Sequence, residues 1–214
     1  MGWIGLMPAA LALAAAAALA PATSAARTAT AAHGAPQEVG DAAADLVQWI
    51  ARTRDHGARP FAIVDKRNAR IHVFDAQARL RGSSAVLIGQ APGDFSAPQV
   101  GAHAQAGHVP FHERTTPAGR FVTEPGRNDK GEDVVWVDYD SAFAIHRLRP
   151  GAGLLRREQR LASATPSDNR ATLGCVVVPV KFYAEVVHRL IGERRAVVYV
   201  MPENGSLADM LAGM

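Results

Sequence analysis

The strongest constraint on the fold is a series of short runs of β-branched and aromatic residues, separated by Gly, Pro, Asn and Asp. The runs at 61–65 and 70–75 flank a polar turn at 66–69, which predicts a β-hairpin. Further runs predict strands over 84–89, 116–123, 134–139, 142–146 and 196–201, with a hairpin tip at 128–133. We therefore predict a mostly β domain.

Two segments carry a helical pattern instead. Residues 41–54 have apolar side chains at helical spacing behind Asp41, a residue type favoured at the N-cap. The second segment starts at Pro179 and carries an apolar stripe as far as Ile191, just before Gly192. The predicted fold is thus mostly β with one or two short helices, the second packed near the only cysteine.

The N-terminus predicts export. The first 26 residues contain no Lys, Arg, Asp or Glu, and residues 4–20 form an Ala/Leu-rich apolar run, which is typical of a secretory signal. The run is too short and too weakly apolar to favour an uncleaved membrane span. We predict five segments: a signal peptide at 1–26, a flexible tail at 27–40, a helix and linker at 41–59, the main domain at 60–202 and a C-terminal tail at 203–214.

Charge and motifs exclude several function classes. The formal net charge is +3 with both signs interspersed, which argues against a nucleic-acid partner. The sequence has no dinucleotide-binding glycine motif, Walker loop, C-x-x-C or G-x-S-x-G element, which disfavours nucleotide, thiol redox and serine hydrolase chemistry. Nothing in it indicates an oligomeric state or a cofactor.

Residues 91–113 are rich in Gly, Pro, Ala and His and show little periodicity. Such a segment is either an ordered excursion or a mobile flap over a site. Its three histidines, His103, His108 and His112, match no zinc-ligand spacing, so we predict no metal site there.

Cys175 is the only cysteine and cannot close an intramolecular disulfide. It is either an inert buried thiol or a reactive one. Gly174 allows a tight turn before it, which presents the thiol and leaves the Gly174 and Cys175 amides as candidate donors to an oxyanion. A cysteine nucleophile also needs a base, and His146, at the end of a predicted strand, is the best candidate; the alternative is a structural histidine.

Four motifs in order resemble the YkuD-type L,D-transpeptidase domain; they are Ile71-His-Val-Phe-Asp75, Thr116-Pro-Ala-Gly-Arg-Phe121, Ile145-His146 and Thr172-Leu-Gly-Cys-Val176. The resemblance covers about 60–202 and implies a β-sandwich-like catalytic domain in the bacterial periplasm or cell envelope. It implies that Cys175 is the nucleophile, His146 the general base, Gly174 the glycine before the nucleophile and Thr172 a residue of the substrate site.

The reaction implied by the resemblance takes place on peptidoglycan stem peptides. The thiolate attacks the carbonyl of the L-centre of a diaminopimelate residue in a tetrapeptide stem, and D-Ala leaves. An amine or water then resolves the thioester, which distinguishes transpeptidation from carboxypeptidase activity. Two other functions stay open: a non-catalytic wall-binding module on the same scaffold, and a hydrolase that cleaves crosslinks or protein–wall linkages.

The sequence departs from the family pattern around the cysteine. Leu173 stands where the family often has His, and Val177 stands where it commonly has Arg. The segment between His146 and Cys175 is also longer than usual and contains six arginines: Arg147, Arg149, Arg156, Arg157, Arg160 and Arg170. Either Arg170 replaces the missing cation and binds a substrate carboxylate, or it belongs to a solvated basic loop, the interpretation we favour for the other five.

Overall fold

The structure is a computed structural model that describes Met1, Gly2 and residues 39–213. The predicted signal peptide, beyond Met1 and Gly2, and most of the predicted tail at 27–40 lie outside the described residues. The strands are β1 Phe61–Asp65, β2 Arg70–Phe74, β3 Leu80–Ala85, β4 Ile88–Gly89, β5 Gly119–Val122, β6 Glu124–Arg127, β7 Asp133–Asp138, β8 Phe143–Arg147, β9 Arg170–Thr172, β10 Val176–Val178 and β11 Val197–Val200.

The helices are more numerous than the one or two that the sequence predicted. They are α1 Asp41–Thr53, α2 Val100–Gln105, α3 Leu154–Ala162, α4 Val180–Phe182, which continues as a π-helix over Tyr183–Gly192, and α5 Leu207–Ala212; short 3-10 turns cover Phe111–Glu113 and Pro166–Asn169. No helix within the described ranges is both long enough and apolar enough to cross a membrane.

The larger sheet has five strands in the order β3-β2-β1-β11-β5. Its central strands, β1 and β11, are parallel and place Phe61 opposite Val197. Every residue of both strands is buried. A strand covered on both faces needs apolar residues at consecutive positions, which explains their continuous apolar runs.

Two clusters of buried side chains cover the two faces of this sheet. On one face, α1 contributes Ala43, Leu46 and Ile50 to a cluster that α5 also packs against. The other face packs against the second sheet and the π-helix, with Tyr183, Val187 and Ile191 between them. This arrangement of two sheets around one core confirms the predicted mostly β, sandwich-like fold.

The second sheet, β10-β8-β7-β6, positions the candidate site. Its inner face supplies Val135, Ile145 and Val176 to the core. β8 and β10 are parallel, with Val177 beside His146. Side chains alternate between the faces of a strand, so Cys175, two residues before Val177, lies on the same outer face as His146.

The long segment between His146 and Cys175 folds against that outer face. Its helix α3 packs Leu154 and Leu161 against a small cluster that includes Val177. Val177 is therefore buried, and the position where the family pattern has Arg is part of a small hydrophobic core. The sequence did not predict α3 because most of its residues are polar and no apolar stripe marks it as a helix.

Candidate active site

Cys175 is partly exposed at the meeting point of two cavities. Its Sγ lies 3.5 Å from the Ala142 carbonyl oxygen, a weak contact. One cavity, of about 180 Å³, is mainly apolar; the other, of about 210 Å³, is lined by His146, Arg149 and the tip of the β6–β7 hairpin. The thiol is thus presented to two separate spaces.

His146 lines the 210 Å³ cavity together with Cys175. Its Nδ1 donates to the Arg147 carbonyl oxygen at 2.9 Å. A carbonyl only accepts, so this bond places the proton of the neutral ring on Nδ1 and leaves Nε2 as the proton acceptor. The structure thus brings together the two side chains that the sequence paired as nucleophile and base.

Desolvation sets the charge state of this pair. Burial, followed by the nearby positive charge of Arg149, lowers the pKa of His146 to about 4. Burial also raises the pKa of the Cys175 thiol, against a smaller lowering by a hydrogen bond with the Ala144 backbone and by Arg149. At neutral pH the site therefore holds a neutral thiol and a neutral imidazole rather than a preformed ion pair.

Gly174 adopts a backbone conformation that few other residues can adopt, with φ at +140°. A Cβ at this position would lie 2.8 Å from the Thr115 carbonyl oxygen. The turn is further held by Thr116, a buried residue of the T-P-x-G motif, whose hydroxyl donates to the Gly174 carbonyl and accepts from the Gly89 amide. The T-P-x-G element thus positions the turn that presents the nucleophile.

We expect Gly174→Ala to reduce acylation of Cys175 sharply, because the turn must move away from Thr115 to make room for the methyl group. Gly151→Ala is the matched control, since Gly151 also has a positive φ of +123° but a Cβ there would meet nothing within 4 Å. Both variants carry backbone strain of about 1–3 kcal/mol. Thermal unfolding and the rate of adduct formation separate the two effects: equal acylation rates in both variants would contradict the positioning role.

The Thr172 side chain also stabilises the turn at Gly174 and Cys175. Its hydroxyl donates to the Cys175 carbonyl at 2.7 Å and accepts from the Gly174 amide at 3.2 Å. The Gly174 amide is therefore engaged and does not point to an incoming oxyanion, as the sequence had suggested. Of the two expected oxyanion donors, the Cys175 amide remains the candidate. Thr172 is a brace of the turn in this structure, and a substrate contact through its hydroxyl stays a prediction.

Arg170, the predicted replacement cation, has a different environment. It forms an ion pair with Glu203 and donates to the carbonyls of Gly89 and Ala91. Among the residues described as lining the two cavities beside Cys175, Arg170 does not occur. The guanidinium instead ties the chain before the nucleophile to the C-terminal segment. Sequence could not show this, because Glu203 lies in the predicted C-terminal tail.

The ion pair belongs to a larger polar cluster under the 91–113 segment. The ammonium of Lys66 is buried and donates to Asp94, to the Gly93 carbonyl and to the Thr116 carbonyl. Asp94 also accepts from backbone amides of the segment that starts at Glu203, and its pKa falls to about 2 against the opposing effect of burial. These contacts fix the first residues of the 91–113 segment beside the turn at Gly174 and Cys175.

Residues 91–113 form an ordered excursion with its own helix, α2. Its Val100, Ala104 and Val109 form one wall of the apolar cavity beside Cys175. Its histidines do not form a metal site: His103 bonds Glu113 at 2.7 Å, and the described residues contain no group of three or more His, Cys, Asp or Glu that could hold a metal ion.

Arg149, which the sequence predicted to lie in a solvated basic loop, is the arginine that lies in the wall of the polar cavity. It lines the cavity with Cys175 and His146, and its charge acts on the pKa of both. Its Nε lies 2.7 Å from a carboxylate oxygen of Glu132, with its side chain one-third exposed at 33 %. Arg149 lies three residues after His146 in the sequence. Only the packing of the segment between His146 and Cys175 shows that it lines the same cavity as Cys175.

The comparisons with known proteins were made against families, curated proteins and solved structures. The sequence matches no protein-family model and no curated protein. Among solved structures, the chain is similar to the catalytic domain of an L,D-transpeptidase from E. faecium, with 17% identity, 67% of this chain and 98% of that chain covered, and a TM-score of 0.36.

Two further structures are similar to the chain. One is an L,D-transpeptidase from Xylanimonas cellulosilytica, with 14% identity, 66% of this chain and 60% of that chain covered, and a TM-score of 0.38. The other is a fused Zn-dependent amidase/peptidase/peptidoglycan-binding domain-containing protein from Clostridium acetobutylicum, with 12% identity, 73% and 62% covered, and a TM-score of 0.36.

Proposed function

We propose that this protein is an exported cysteine acyltransferase that acts on peptidoglycan stem peptides in the periplasm or cell envelope. The observation that carries the proposal is that Cys175, His146 and Arg149 line one cavity, with His146 Nδ1 bonded to the Arg147 carbonyl so that Nε2 is the proton acceptor. A nucleophile, a base and an anion-binding group are the parts that acyl transfer from a carboxylate-bearing peptide requires. The order of sequence motifs favours the same chemistry.

The first half-reaction transfers the acyl group to sulfur. His146 Nε2 takes the thiol proton as Sγ bonds to the substrate carbonyl carbon, and the Cys175 amide is positioned to donate to the resulting oxyanion. The imidazolium then gives its proton to the leaving amine, and the C–N bond breaks to leave a thioester. A low imidazole pKa makes this proton transfer to the amine favourable.

The second half-reaction returns the thiol. An acceptor amine, or water, enters through the cavity that the departing amine has vacated and loses a proton to His146. It attacks the thioester carbonyl, the C–S bond breaks and sulfur recovers the proton. With an amine the product is a new amide; with water it is a shortened stem. The apolar and polar cavities on either side of Cys175 provide separate spaces for donor and acceptor.

The test of the proposal is incubation of the protein with a disaccharide-tetrapeptide muropeptide, followed by mass analysis of products and protein. The proposed function predicts a protein adduct of the acyl group, free D-Ala, and crosslinked dimers or shortened stems. No adduct and no product, together with retained binding to the muropeptide, would favour the wall-binding module. Cleavage of purified crosslinked dimers without prior release of D-Ala would favour the hydrolase.

Substitution of Arg149 tests whether its guanidinium binds a carboxylate of the stem peptide. We expect Arg149→Gln to lower kcat/KM for a stem peptide by about 10- to 100-fold, mainly through KM, because a charge-assisted hydrogen bond to a carboxylate is lost. Arg149→Lys should recover part of the loss. The thiol pKa should rise further in Arg149→Gln, since the guanidinium lowers it in the native protein.

The control for Arg149 is Arg156→Gln, which removes an equal charge from the exposed surface of α3. Steady-state kinetics with the same peptide measure both variants. Equal losses in the two variants would show a general effect of charge on substrate attraction, and an unchanged KM in Arg149→Gln would exclude carboxylate binding by this residue.

A further inference from the structure

A pair of aromatic side chains, Trp136 and Tyr139, lies beside the 210 Å³ cavity, and Trp136 lines it. Trp136 lines that cavity with Cys175, and its ring is 4.9 Å from the ring of Tyr139, centroid to centroid, at an interplanar angle of 68°. Tyr139 is 69% exposed. Its ring lies in contact with an indole that lines the cavity, so the two rings together form an aromatic surface beside Cys175.

Strand β6 packs closely against the indole of Trp136. Gly126 of β6 lies under Trp136, and a Cβ there would stand only 2.6 Å from the indole Cδ1. The indole therefore lies close against backbone, in a position that no other residue at 126 would allow. The absence of a side chain at Gly126 leaves the ring flat against the sheet surface.

The pair also has a defined position relative to the thiol. Trp136 pairs with Ala144 on the neighbouring strand β8, and β10 follows on the other side of β8. Cys175 directly precedes β10, so two strand spacings, about 10 Å in all, separate it from Trp136. Both side chains lie on the outer face of the sheet.

We propose that Trp136 and Tyr139 form a carbohydrate platform that stacks against a sugar ring of the glycan to which the stem peptide is attached. One face of a pyranose ring presents C–H groups and its edge presents hydroxyl and amide groups. The aromatic pair matches the apolar face, and the adjoining hairpin tip, with Asn128, Asp129 and Lys130 on the cavity wall, presents polar groups to the edge. The identity of the sugar rests on the proposed function.

The length of an extended stem peptide agrees with the separation of about 10 Å between Cys175 and Trp136. In a tetrapeptide stem the scissile bond follows the third residue, so three residues lie between the reacting carbonyl and the sugar. Extended chain spans at most about 3.3–3.6 Å per residue, or about 10 Å for three. A stem acylating Cys175 and running across β8 therefore brings its sugar to Trp136 and Tyr139.

Kinetics with matched substrates test the platform. The native protein should react with the disaccharide-tetrapeptide about 3- to 10-fold more efficiently, by kcat/KM, than with the sugar-free tetrapeptide, since aromatic stacking contributes at this level. Tyr139→Ala, Trp136→Leu and Gly126→Val should each bring that ratio close to one, and Trp136→Phe should keep part of it. Phe111→Ala, which removes an exposed aromatic side chain that is not among the residues lining either cavity, should keep the native ratio.

Binding without chemistry separates this inference from the proposed function. The peptide-free disaccharide of the wall glycan should shift the indole N–H signal of Trp136 in Cys175→Ala, and Tyr139→Ala in that background should weaken the binding. Binding of the disaccharide by Cys175→Ala, together with no acyl adduct in the native protein, would retain the platform and overturn the acyltransferase. Acylation with equal rates for sugar-bearing and sugar-free peptides, and no indole shift, would overturn the platform alone.

Discussion

Replacing Cys175 with alanine abolishes the covalent acyl adduct and reduces turnover of the stem peptide by at least about 10³-fold, because no other group takes the place of the nucleophile. The fold should persist. The thiol makes weak contacts with the backbone of Ala142, at 3.5 Å, and of Ala144, so little native stabilisation is lost. Intact-protein mass spectrometry after incubation with the muropeptide measures the adduct, and thermal unfolding measures the fold.

Cys175→Ser is the matched variant for this experiment. Serine keeps the shape and the hydrogen-bonding capacity of the residue, but its hydroxyl is a far weaker nucleophile at neutral pH than the thiol. We expect it to bind the peptide and to form at most a trace of adduct. An adduct of undiminished yield in Cys175→Ala would place the reacting group elsewhere and would refute the proposed mechanism.

Replacing His146 with alanine lowers the acylation rate at neutral pH by about 10²- to 10⁴-fold. The reason is the raised pKa of the Cys175 thiol, which keeps sulfur protonated at pH 7 until a base removes the proton. In the native protein the rate should fall only as the pH drops toward about 4, where the imidazole becomes charged and stops acting as a base. The pH profile of acylation measures both effects.

The acylation rate of His146→Ala should instead depend on pH in the alkaline range. Without His146, the rate should rise as the pH approaches the thiol pKa, because hydroxide then generates the thiolate directly. Stability provides an independent check. The folded pKa of about 4 lies below the ordinary value of 6.5, so the unfolded chain binds more protons between these values, and native stability falls as the pH drops through that window. His146→Ala should lose this part of the acid destabilisation. An acylation rate of the native protein that falls with a pKa near 6.5 would contradict the buried environment assigned to His146.

The β-rich fold was predictable in outline because its signals are local. The hairpin at 61–75, the tip at 128–133 and the strand ending at His146 each show an apolar run bounded by turn residues, and each forms. The helices α2, α3 and α5 were not predicted. Their sequences are short, glycine-containing or mostly polar, so tertiary contacts, such as those of Leu154 with the cluster at Val177, decide their conformation.

The sequence by itself predicted the residues of the candidate site: one thiol after a glycine, one histidine at a strand end, and a T-P-x-G element upstream, because each of these residue types carries its reactivity or backbone freedom with it. Only the tertiary structure decided which cation joins them. Arg149 and Arg170 are chemically identical, and their roles differ because the parallel pairing of β8 with β10 and the packing of α3 place one beside Cys175, while a glutamate more than thirty residues away in sequence pairs with the other. Charge in a fold acts through distance and solvent exclusion, which sequence order does not encode.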